Sequence, residues 1–155
     1  MKKIKSDYRN SEQDIKPDYR NLEQDTKENT DYRRVVFTGK KLQMVLMNLK
    51  PLEDIHMEVH IDHDQFIRIE SGSGLAIINN QKYDLKDGFS IIIPAGCRHK
   101  IENTSNIENL KLYTIYAPPE QPDGLIQHDK PNVVIEGGYK KPIQYYKLKN
   151  SDFLN

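Results

Sequence analysis

A single cysteine, Cys97, leaves this chain of 155 residues with no partner for an internal disulfide and no thiolate set for a cysteine-built zinc site. Charge of one sign is not in excess either, since 23 Lys and Arg balance 23 Asp and Glu. Without a net field the chain lacks the electrostatic signature of a nucleic-acid or anionic-membrane partner. No apolar run is long enough to span a bilayer, and the start MKKIKSDYRN has basic residues with no apolar stretch behind it. The expected setting is therefore cytoplasmic, with no signal peptide. A helix-turn-helix segment is missing, as is any long amphipathic helix. The length suits one domain around one core.

What is present falls into two textures. Residues 1–30 hold a duplication: DYRNSEQDIK at 7–16 is followed by DYRNLEQDTK at 18–27, and a truncated third copy begins at DYRR, 31–34. Each full copy offers only one aliphatic position, Ile15 or Leu22, so no continuous stripe exists to bury. This segment is expected to be a flexible, charged N-terminal tail. From residue 31 to 155 a barrel with a C-terminal extension is expected. Short runs such as RVVF, LQMVLMNL, QFIRIE, FSIII and LKLYTIYA are of strand length, and TGK, SGSG, NNQ, KDG and PAG separate them. Many short strands without a long helix predict an all-β sandwich or barrel. PIQYYKLKN near the end is a candidate closing strand.

The stretch IHMEVHIDHDQF, 55–66, concentrates polar groups that can bind metal. Strand alternation puts His56, Glu58 and His60 on one face and Ile55, Met57 and Val59 on the other. On its own this leaves two readings open, a solvated polar face or an inward ligand face. A local clasp from His60, Asp62, His63 and Asp64 is a third arrangement, with His63 otherwise a surface histidine.

A second segment bears on the choice. GFSIIIPAGCRHKIEN, 88–103, reads Gly88, five residues, Pro94, one, Gly96, two, His99, three, Asn103. It is similar at every fixed position to the second motif of the cupin family. The first cupin motif then aligns upstream, ending at Gly72. Gln65 falls where the family has its glutamate, His60 at the second histidine, Glu58 at the first, and Leu52 at the opening glycine. The resemblance covers about residues 34–117. It implies a double-stranded β-helix, the jelly-roll cupin barrel, with a variant metal set of Glu58, His60, Gln65 and His99.

Two histidines and one carboxylate suit a single divalent ion: Fe(II), with Mn(II), Zn(II), Ni(II) or Co(II) also compatible. Gln65 is neutral, so a proton-transfer reaction would need another base. His56, Arg68 and Tyr113 are the remaining candidates for catalysis or anion binding; of Tyr113 and Tyr116, at most one can enter the barrel. Cys97 reads as an incidental thiol, and the proline-rich loop carrying His128 as a cover for one barrel mouth. The implied function is a metal-dependent enzyme, isomerase or dioxygenase in type, acting on a sugar, an enolisable carbonyl or a polyphenol-like molecule. A non-catalytic ligand-binding barrel and an assembly barrel are the alternatives. The expected partners are a small molecule and a second copy of the chain in a homodimer.

Overall fold

A computed structural model describes residues 16–131 in full and the backbone of 133–136 and 139–142. Among the described residues, one helix, α1 (Leu22–Glu28), precedes twelve strands. These are β1 (Arg33–Thr38), β2 (Gln43–Leu49), β3 (Asp54–Glu58), β4 (Asp64–Ser71), β5 (Ser73–Ile78), β6 (Gln81–Lys86), β7 (Ser90–Ile93), β8 (His99–Asn103), β9 (Leu110–Ala117), β10 (Ile126–Gln127), β11 (Val133–Glu136) and β12 (Tyr139–Pro142). A six-stranded sheet runs β10-β1-β2-β9-β4-β7, and a four-stranded sheet runs β3-β8-β5-β6. Their pairings are antiparallel, and β11 and β12 form a separate hairpin. The all-β double-stranded helix expected from the sequence is the observed fold. Among the described residues, no helix is long and apolar enough to cross a membrane.

Turn chemistry explains several corners. Asn79 and Asn80 both have positive φ, 48° and 68°, which suits a two-residue type I′ hairpin between β5 and β6. Gly96 turns the β7–β8 corner at φ 85°, and its N–H donates to the His60 carbonyl at 2.8 Å. Asp64 accepts from the Ala95 N–H at 2.9 Å in the same corner. The two sequence segments that carry the motifs are thus tied together through backbone groups.

Alternation sorts β9 cleanly: Leu110, Leu112, Thr114 and Tyr116 are buried, while Lys111, Tyr113 and Ile115 face the other side. Register then arranges the inward residues in rows. Leu49 pairs with Leu110 at one end, both fully buried with Met47, Leu112 and Ile69. At the other end Gln43, Tyr116 and Gln65 lie side by side across β2, β9 and β4. One end of the barrel is therefore apolar core and the other is a polar chamber. Each fully buried Leu or Ile contributes roughly 1.5–3 kcal/mol, which supports the cost of the polar end.

The expected tail behaves differently over its second half. Residues 1–15 lie outside the described residues, but residues 21–31 pack on the barrel. Asn21 caps α1 by accepting from Gln24 N–H at 3.2 Å, acids occupy the first turn and Lys27 the last. Thr26 is fully buried, and Lys111 Nζ donates to the Asn29 carbonyl at 2.6 Å. A short capped helix docked by tertiary contacts needs no long apolar stripe, which is why periodicity missed it. The candidate closing strand at 142–150 lies outside the described residues, apart from Pro142 at the end of β12.

Candidate metal centre

Glu58 ends β3 and stands opposite His99, the first residue of β8, in the ladder. An irregularity between Ile55 and Glu58 re-aims the end of the strand, and His60 follows two residues later. Glu58 Oε2 lies 3.2 Å from His60 Nε2 and 3.9 Å from His99 Nε2. The rings of His60 and His99 are 5.2 Å apart. One ligand atom from each of the three residues lies within 4.8 Å of the others. Neighbouring ligands about 2.1 Å from one ion stand roughly 3 Å apart, so modest closure would complete the set.

The protonation of His99 and Glu58 suits a cation, whereas His60 would have to give up its proton to one. His99 Nδ1 faces the Cys97 carbonyl at 3.0 Å. A carbonyl only accepts, so Nδ1 carries the hydrogen and Nε2 keeps its lone pair towards the centre. Burial holds the His99 pKa below the ordinary histidine range, which favours this neutral ring. Burial pushes Glu58 up, but His60, Arg33 and His99 outweigh it and keep the carboxyl below its usual range. Burial likewise pulls His60 down, yet Glu58 and Glu120 prevail and raise it.

Gln65 faces the same chamber, paired across the sheet with Tyr116, whose ring approaches His60. Its Nε2 donates to Thr114 Oγ1 at 2.9 Å, which leaves Oε1 buried without a hydrogen-bond partner. His60 Nε2 and His99 Nε2 are also buried without one. Three buried lone-pair donors beside a partly buried carboxylate carry a desolvation cost that a bound cation would relieve. Glu58, His60 and His99 are therefore chemically suited to hold a divalent ion.

Other sequence candidates stand elsewhere. Arg68 and Tyr113 pair across β4 and β9 on the outer face, where Arg68 Nε donates to Glu70 at 2.7 Å. Neither enters the barrel; Tyr116 does, with its ring 5.7 Å from His60. Strand parity decides this, because Tyr116 shares a row with inward Gln65. His56 Nδ1 lies 3.4 Å from Asp54 and is not part of the three-residue cluster. The local clasp does not form: Asp62 is exposed, and Asp64 serves the β7–β8 corner. Cys97 contributes its carbonyl rather than its thiol to this arrangement.

His63 is not the surface histidine expected. Its Nδ1 faces the Pro118 carbonyl at 2.9 Å, and its Nε2 lies 2.6 Å from Glu120 Oε2. Glu120, only 9% exposed, also places Oε1 3.9 Å from His60 Nδ1. With a metal on Nε2, a carboxylate on that side of the ring would help keep the remaining proton on Nδ1. The loop after β9 thus covers the centre as expected, but through Glu120. His128 instead pairs with Asp31 at 2.6 Å on the outside. Gln43 fixes the loop: its Oε1 accepts from the N–H groups of Glu120 and Gln121, and its Nε2 donates to the Gln121 carbonyl at 2.8 Å. No local motif marks Glu120, although its place in a proline-rich loop was a signal.

A family model described as Cupin domain matches residues 45–116. The chain belongs to the cupin family. Protein L612 of Acanthamoeba polyphaga mimivirus, itself uncharacterised, is 43% identical over 136 residues, covering 80% of this cupin and 85% of L612. YrkC of Bacillus subtilis, also uncharacterised, is 41% identical over 114 residues, covering 70% of this chain and 61% of YrkC. Among solved structures, BH2720 from Bacillus halodurans superposes with a TM-score of 0.71 at 40% identity, covering 73% of this chain and 89% of that one.

Proposed function

We propose that this cupin is a metal-dependent enzyme acting on a small oxygenated molecule, isomerase-like or dioxygenase-like, with Glu58, His60, Gln65 and His99 as its ligand set. One observation carries the reading: donor atoms of Glu58, His60 and His99 converge within 4.8 Å inside the barrel, with the Nε2 atoms of both histidines buried and unsatisfied. A bound divalent ion would supply Lewis-acid polarisation of a ligand oxygen. Glu58 offers the negative charge, His60 and His99 the neutral nitrogens, and Gln65 an amide oxygen. Tyr116 is the buried hydroxyl beside them; burial drives its pKa well above the usual tyrosine range, so near neutrality it acts as a hydrogen-bond donor rather than a base. Glu120 and His63 position His60 and close the loop over it.

Metal analysis of protein purified without chelator tests this reading. One equivalent of metal is expected in the wild type and less than a tenth of that in His60→Ala, roughly the scale of losing one of few ligands. Turnover on a panel of sugars, diketones and polyphenols should require the metal and vanish in Glu58→Ala. Ligand-dependent stabilisation without product would move the assignment to a binding barrel. A homodimer is part of the same proposal, supported by the exposed apolar Phe89 and Ile92 near β7, which ends the larger sheet. Sedimentation of the full chain checks it.

A further inference from the structure

The outer face of the six-stranded sheet is covered over only part of its length. α1 packs across β2, β9 and β4, and Lys111 Nζ fastens the end of that segment through the Asn29 carbonyl. Under this cover the outward residues Leu46, Asn48 and Glu70 are buried. Towards the other end of the same strands, among the described residues, the cover stops. Register there sets Phe37, Met44, Ile115, Phe66 and Ile92 in one row across β1, β2, β9, β4 and β7. Four of them are half-buried, Ile92 is 67% exposed, and Leu42 beside the row is 42% exposed. Five strands at the usual spacing make the row about 19 Å long. No charge interrupts it, and a contiguous apolar strip of this kind marks a contact surface.

The rim is charged, and its signs are ordered. Lys40 and Lys41 are exposed in the β1–β2 turn, and Asp62 and Asp64 are exposed where β4 begins. Both pairs stand at the same end of the strands, on opposite sides of β9. We propose that this row seats a second copy of the chain, with the two large sheets face to face about a twofold axis along β9. That axis sets the lysines of each copy against the aspartates of the other. It also brings Ile115 against its own counterpart, Phe66 of one copy against Met44 of the other, and Ile92 against Phe37. The N-terminal repeat is a poorer occupant, since residues 7–16 offer one aliphatic side chain, Ile15. This names the surface of the homodimer proposed above and rests on that part of the reading, not on the metal centre.

Sedimentation equilibrium of the full chain tests it over about 1–100 µM, a range suited to an interface below the standard size. A monomer–dimer equilibrium is expected, weakened at least about tenfold by Ile92→Lys and abolished by Ile115→Lys, as burying an unpaired charge requires. Circular dichroism checks that both variants fold, and Ile92→Lys on the exposed edge carries the test alone if Ile115→Lys does not. Lys41→Glu and Asp62→Lys should each weaken the dimer about tenfold, and the two together should restore it. Ile107→Lys, equally apolar and 81% exposed but in the loop at the opposite end, should change nothing. A chain that stays monomeric overturns the proposal. So does a dimer indifferent to Ile92→Lys and Ile115→Lys, or a charge exchange that fails to restore it. A monomer that still holds one equivalent of metal removes this interface and leaves the centre standing; a dimer that takes up no metal does the reverse.

Discussion

At the residue scale, side chains far from the centre explain much of the motif. Asn103 donates through Nδ2 to the carbonyls of Leu49, Lys50 and Glu108, at 2.8–3.1 Å, and accepts from the Ser105 N–H at 3.0 Å. The asparagine of the family pattern is thus a fastening point for the loop after β8, not a ligand. Asp54 is a second hub, contacting Lys130, Lys100 and His56. Burial pushes its pKa up, but the two lysines and His56 outweigh it and hold the carboxyl below its ordinary value of 3.8. A depressed folded pKa contributes stability that is present above the unfolded value and lost as pH falls through the folded one. Asp54→Asn is therefore expected to cost about 1 kcal/mol at neutral pH. Urea denaturation should show the gap to wild type closing only well below pH 4, and a gap independent of pH would refute the assignment.

At the element scale, glycines in the two motifs serve unequal purposes. Gly72 has φ 89°, and a Cβ there would meet the Asn109 carbonyl oxygen at 2.4 Å. Gly96 has φ 85° with nothing within 4 Å of the same atom. Gly96→Ala should thus cost only the left-handed backbone penalty, about 1–2 kcal/mol. Gly72→Ala adds a clash with backbone and is expected to exceed 3 kcal/mol or prevent folding, in line with strain at a packed site. Chemical denaturation of the two variants checks the order. Leu52, in the position where the family has glycine, sits at φ 65° and is 68% exposed. Its replacement by glycine should gain stability, by roughly 0.5–1 kcal/mol after allowing for glycine's unfolded-state entropy.

The same elements show how far the sequence could be read. Gly88, Pro94, Gly96, His99 and Asn103 were legible because unusual backbone angles and a repeated hydrogen-bond hub demand particular residue types at fixed spacing. Glu58, His60 and Gln65 followed from counting back from Gly72. Tyr116 was not distinguished from Tyr113, because α1 and neighbouring side chains also half-bury the outer face of β9 and blur the alternation. Glu120 reaches the chamber from a loop, and only the tie of that loop to Gln43 brings it near His60.

At the scale of the whole molecule, the proposed ligands come from β3 and the residues just after it, from β4 and from β8, so one ion would join the two sheets. Binding confined to the folded state should raise stability by about 2.7 kcal/mol at a hundredfold excess over Kd. Calorimetric melting with and without Mn(II) should show that rise, and chelation should reverse it. His60→Ala should abolish the metal-dependent increment while leaving the metal-free melting point near that of wild type. A variant that keeps the increment would place the ion elsewhere.

Gln43 has a consequence for how such barrels diverge. A single amide inside β2 dictates where the backbone of residues 120 and 121 runs, so the acidic side chain over His60 is inherited only with its anchor. Transplanting that proline-rich segment into another scaffold would deliver the acid without its address, and a drift of Gln43 to an aliphatic residue would silence it with its codon intact.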